Sequence, residues 1–151
     1  MNQTRLDLES FAARMPEAAA ALRTLSRVSS EGLDKALVEL LKVRASQLNG
    51  CANCLQLHTD WARKAGVPQL KLDRVAGWQI APEFDARERA ALAWAEALHD
   101  PSRHGGIEAA RHTLYQTFGA DQALKLTVAV ATINAWNRII GPLEFTAPAT
   151  T

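Results

Sequence analysis

The stretch from Glu39 to His58 holds the residues best suited to chemistry: Glu39, Cys51, Cys54 and His58. Cys51 and Cys54 form a C-x-x-C, and the chain has no other cysteine. On a helix, positions three apart differ by about 60° around the axis and roughly 4.5 Å along it. Two thiols so placed can close into a disulfide with little backbone movement. His58 follows Cys54 by four residues and Cys51 by seven, so the three share one helix face. A helix start at the cysteines would stabilise a thiolate through its unpaired N–H groups and its dipole. A neighbouring imidazole accepts a thiol proton or, once charged, holds the thiolate. The second thiol captures an oxidised first one as a disulfide before over-oxidation. Glu39 precedes Cys51 by twelve residues, roughly 18 Å along a straight helix. It can orient His58 only if the chain reverses at Asn49-Gly50.

The elements that must position these groups read as helices. Ala and Leu number 47 of 151 residues, Val and Ile only 12, and Ala and Leu lose little freedom in a helix. Apolar residues from Leu6 to Val28 recur at helical spacing, with Pro16 starting the main helix. Ser29–Gly32 is a turn. Leu33–Leu48 carries a leucine stripe, interrupted at Asn49-Gly50. The next helix runs from about Cys51 to Ala65, stopped by Gly66 and Pro68. Further helices are expected over 70–79, from the N-cap Asp85 (with Glu88) to about Leu98, over Ile107–Phe118, and over Asp121–Ile140. His99–Gly106 reads as a loop and the tail after Gly141-Pro142 as loosely held. No strand alternation persists. The expectation is one all-α domain of six or seven helices, spanning residues 1–151 with its core at about 15–140.

Composition narrows the function. Seventeen Lys+Arg against sixteen Asp+Glu give a formal charge of +1, without the basic excess of a dedicated nucleic-acid binder. No apolar h-region opens the chain and no run nears 18 apolar residues, so neither a secretory signal nor a membrane span is expected. A single purposeful cysteine pair fits a cytoplasmic chain better than a disulfide scaffold.

The spacing Glu39-x11-Cys51-x2-Cys54-x3-His58, with Arg44–Gly50 around it and Ala131–Ile139 later, closely resembles the alkylhydroperoxidase D (AhpD-like) family of the carboxymuconolactone decarboxylase superfamily. The similarity spans about Met15 to Ile140. The resemblance implies an all-α fold that assembles into homo-oligomers, often trimers or hexamers, and reduces organic hydroperoxides without a cofactor or metal. By the same resemblance, Cys54 is the peroxidatic thiolate, Cys51 resolves it, His58 is the base, and Glu39 supports a proton relay. A dithiol reductant, lipoyl-bearing or thioredoxin-like, reopens the disulfide. The cysteine pair argues against the decarboxylase branch, which typically lacks it. This chain departs from some members in having Asn53, which does not titrate near neutral pH, where they have His between the cysteines.

Other readings stand beside this one. The same dithiol suits a non-catalytic redox sensor or partner-binding oligomer. Cys51, Cys54, His58 and Glu39 are chemically acceptable zinc ligands, but three ligands within eight residues of one helix make a poor tetrahedron. A thioredoxin fold needs βαβ units that the pattern does not supply. His99, His104 and His112 form no metal motif. Trp61 and Trp78 read as packing residues and Trp136 as core or interface. Asn134 and Arg138 are spaced to bond each other or a neighbouring subunit.

Overall fold

A computed structural model describes residues 6–146. Seven α-helices and no strand occur among them. Helix α1 (Leu8–Arg14) starts at Asp7, whose carboxylate accepts from Ser10 N–H while the Ser10 hydroxyl accepts from Asp7 N–H, a reciprocal cap. Helix α2 (Pro16–Ser30) begins on Pro16, where the missing N–H has no helical partner to lose. Asp34 caps α3 (Lys35–Leu48) by accepting from Ala36 N–H at 2.9 Å. Next come α4 (Ala52–Lys64), α5 (Gln69–Arg74) and α6 (Ala86–His99). Asp85 and Glu88 form the cap of α6 that their spacing predicts. Helix α7 (Ile107–Ile140) is two helices joined through Gly119, whose φ of 72° and ψ of 171° interrupt the helix and change its direction.

Helix α3 is the centre of the molecule. It packs on α4, α6 and α7, and nine of its fourteen residues are buried. Leu40, Leu41 and Val43 join Leu92 of α6 and Leu126 of α7 in the main core. Each such side chain contributes roughly 1.5–3 kcal/mol by leaving water. A second, smaller core lies under α1: Phe11, Ala19 and Phe145, with Trp136 and Ile140 packed against them.

Two expectations need correcting. The segment 70–79 is helical only to Arg74, followed by a 3-10 turn at Val75–Gly77. Beyond that turn the Arg89 guanidinium fixes the chain: it donates to the carbonyls of Trp78, Gln79 and Ala81. Those carbonyls are thereby satisfied outside a helix. The tail is not loose where it is described. After Gly141 the chain turns back, Phe145 is buried at 4 % exposure, and Thr146 N–H bonds the Leu6 carbonyl at 2.9 Å. Residues 147–151 lie outside the described residues.

Candidate active site

The reversal between α3 and α4 is built by backbone hydrogen bonds. Gly50 N–H bonds Gln47 O at 3.2 Å and Cys51 N–H bonds Ser46 O at 3.1 Å, the paired closure of a helix that ends in a left-handed residue. Gly50 has φ 65°, a conformation that glycine adopts without steric cost. Cys51 therefore ends one helix and starts the next. Its sulfur is the N-cap of α4, accepting from Cys54 N–H at 3.3 Å. Cys51 and Cys54 are joined as a disulfide with their Cα atoms 5.3 Å apart. Both are buried, at 1 % and 4 % exposure.

A polar cluster holds this turn against α7. Asn49 donates to Asn134 Oδ1 at 2.5 Å and to Asn137 Oδ1 at 3.1 Å, and Asn137 donates to Ser46 Oγ at 3.1 Å. Asn134 thus pairs with Asn49 and not with Arg138, which is exposed. The end of α7 backs Cys51 closely: a Cβ on Gly141 would stand 3.5 Å from that of Cys51.

Folding α4 back on α3 sets His58 against Glu39. His58 Nδ1 lies 2.8 Å from Glu39 Oε2, with both residues buried. Lys42 Nζ, one turn along α3, holds the other carboxylate oxygen at 3.0 Å. Burial pushes the Glu39 carboxyl up. The His58 hydrogen bond and the Lys42 charge outweigh it, so the group titrates below its ordinary 4.5. Glu39 is thus ionised and can only accept. Nδ1 must donate, which leaves Nε2 as the nitrogen able to accept a proton. The ring's position is also set by Trp61, which meets it edge to face at 5.2 Å between centroids.

Cys54, His58 and Glu39 open onto a cleft of about 600 Å³ between α2, α3, α4 and the end of α7. Cys51 does not line it. Trp61 and Trp136 do, so both are walls of the cleft; Trp136 also packs on the smaller core as read, and Trp78 is packing as read, at 6 % exposure. Asn53, between the cysteines, donates from its side chain to the Phe145 carbonyl and so ties the redox turn to a segment that lines the cleft. The sequence carried no signal for Lys42 or Phe145: a lysine on a helix and a phenylalanine in a tail are both common. Among the described residues, no group of three or more His, Cys, Asp or Glu is placed to hold a metal ion.

An all-helical domain with a buried cysteine disulfide and a carboxylate-oriented histidine on one cleft is the class that fold and site define. Residues 11–97 match the model of the Carboxymuconolactone decarboxylase family, and the chain belongs to that family, as an AhpD-like member. It is 34% identical over 102 residues to the uncharacterized protein YdfG of Bacillus subtilis (strain 168), covering 67% of this chain and 69% of that one. A solved structure of a protein of unknown function from Agrobacterium tumefaciens, described as a candidate antioxidant defence protein AhpD, superposes with a TM-score of 0.87. The two are 32% identical, over 98% of this chain and 100% of the other. The debrominase Bmp8 shares the fold at 20% identity and a TM-score of 0.76, over 91% of this chain and 74% of its own. No helix among the described residues is long and apolar enough to cross a membrane.

Proposed function

We propose that this protein is a thiol-dependent peroxidase of the alkyl hydroperoxide reductase type. One observation carries the reading: the Glu39–His58 hydrogen bond engages Nδ1 and leaves Nε2 outside that bond, on a residue that lines the same cleft as Cys54. In the reduced protein His58 takes the Cys54 proton. The thiolate attacks the terminal oxygen of R–O–O–H, the O–O bond breaks, and the alkoxide leaves as alcohol with the proton from His58. Cys54 is left as a sulfenic acid. The Cys51 thiol then attacks the Cys54 sulfur, forming the disulfide and releasing water. Two electrons from an external dithiol restore the pair. With both sulfurs buried, a slender lipoyl group suits that task better than a thioredoxin-like face. The reading goes with a reducing compartment, the cytoplasm, and with a homo-oligomer, a trimer or hexamer, that light scattering checks.

Stopped-flow consumption of an organic hydroperoxide tests the assignment. Cys54→Ser abolishes turnover, while Cys51→Ser leaves one oxidation event and no cycle. Sustained turnover in Cys54→Ser would overturn the roles.

One contact favours a second reading, a redox sensor without turnover. The bond from Asn53 to Phe145 links the cysteine turn to a segment that lines the cleft, so a change at the disulfide has a direct path to that segment. Slow peroxide reaction with a redox-dependent change in assembly selects that reading.

A further inference from the structure

The cleft before Cys54 is larger than a hydroperoxide group needs. Its roughly 600 Å³ is within the range of sites that enclose whole organic ligands. Much of its lining is apolar, including Leu57, Trp61, Ile133, Trp136 and Ile140. Trp61 is 42 % exposed although it is one of the largest apolar side chains in the protein.

The same lining also carries charge. Arg23 and Arg27 from α2 and Lys35 and Lys42 from α3 line the same cleft, against Glu31 and Glu39. Each pair lies on one helix face, at spacings of four and seven. Both acids are already engaged. Lys42 holds Glu39 at 3.0 Å, and Arg27 pairs with Glu31. Arg23 and Lys35 make no ion pair among the described residues. In a chain of net charge +1, two uncompensated cations thus border an apolar cleft.

We propose that the cleft binds amphipathic anions and that the substrate is a long-chain hydroperoxy carboxylic acid. Its hydrocarbon lies against Trp61, Ile133 and Trp136, and its carboxylate meets Arg23 and Lys35. The O–O bond breaks and the Cys51–Cys54 bond forms. The hydroperoxy acid gains two electrons and two protons from the dithiol and leaves as the hydroxy acid and water. The identity of the reacting group rests on the peroxidase reading, but the binding of the anion does not.

The test separates the two. Calorimetric titration of the full chain in its disulfide form uses octanoate, decanoate, dodecanoate and methyl dodecanoate, none of which can be reduced. Affinity rises by up to about fourfold per added methylene. The acid binds more tightly than its ester, and added salt removes the difference. The exposed-surface variant Arg23→Ala/Lys35→Ala weakens the acid by roughly 3- to 25-fold, since each exposed charge contact is worth up to about fivefold, and leaves the ester unchanged. With a hydroperoxy acid as substrate of the reduced protein, the same variant raises KM and spares kcat. Equal binding of acid and ester, an unaffected variant, or no binding of any of the four compounds because a second copy of the chain covers the cleft would each overturn the proposal. The binding pattern without peroxide consumption would uphold the anion site and sink the peroxidase reading.

Discussion

Helix α3 and its neighbours bury two carboxylates, and they are used in opposite ways. Glu96 of α6 has no exposure at all. It accepts from Arg44 Nε at 2.7 Å, from the Trp78 indole at 2.9 Å, and from Gln79 and Arg103 at longer range. The guanidinium donors stay charged at every physiological pH, and the indole and amide do not titrate. With no exposure, the carboxylate is also out of reach of a ligand. Glu39 of α3 is nearly as buried, but one of its two partners is His58, and the pair borders a cleft. Burial and hydrogen bonding of an acid therefore do not mark a reactive site. An approach for a ligand does.

The comparison can be broken by removing groups on either side. The largest effect is expected at the base. His58→Gln should lower the rate of peroxide consumption by about 10²- to 10⁴-fold, the usual contribution of a positioned general base, with little change in melting temperature. An unaltered rate would detach His58 from the chemistry. Glu96→Ala should do the reverse. It leaves the Arg44 charge buried without its carboxylate, at about 3–5 kcal/mol, or roughly 6–20 °C in Tm for a domain of this size. Activity per folded molecule should hold. A stable Glu96→Ala protein with lost activity would reverse the assignment of the two sites.

Glu39→Gln sharpens the contrast. Gln still accepts from Nδ1 but carries no charge, so the rate should fall by roughly 10- to 150-fold, equivalent to the 1.5–3 kcal/mol of a charge-assisted hydrogen bond. The same variant tests the pH dependence. Glu39 titrates below 4.5 when folded and near its ordinary value when unfolded, so between the two values the unfolded chain binds the proton. Its contribution to stability is therefore present above about pH 4.5 and is lost as the pH falls through the depressed folded value. The difference in denaturant midpoint between wild type and Glu39→Gln should shrink over that acid range. A difference that does not change with pH would mean that the carboxylate is not held ionised. The smallest effect is expected at the turn between α3 and α4. Gly50→Ala places a Cβ at φ 65° and should cost about 1–2 kcal/mol, read as a shift in denaturant midpoint.

Much of this protein is local and so legible. Pro16 and the Asp85/Glu88 pair act within one helical turn, and each begins a helix where its type predicts. The spacing of Cys51, Cys54 and His58 is equally local, because a helix places residues three, four and seven apart on one face whatever surrounds it. Asn49-Gly50 announces a reversal because only a few residue types tolerate a left-handed backbone. The Carboxymuconolactone decarboxylase family and its AhpD-like character were visible in those same positions.

Of the distant groups that meet, only Glu39 and His58 could be paired from the sequence, through the reversal at Asn49-Gly50. That Asn49 reaches Asn137 across 88 positions and Asn53 reaches Phe145 across 92 was not visible there. Helical periodicity says which face a residue occupies but not what packs on that face. That depends on how the whole chain buries its apolar surface at once. Packing decided that Trp61 stands against a histidine instead of filling the core, that Phe145 lines the cleft, and that Arg89 holds the carbonyls of Trp78, Gln79 and Ala81. The residues of the dithiol site are a property of the sequence. The ionised carboxylate behind the histidine and the cleft in front of it exist only because α2, α3, α4 and α7 are packed together.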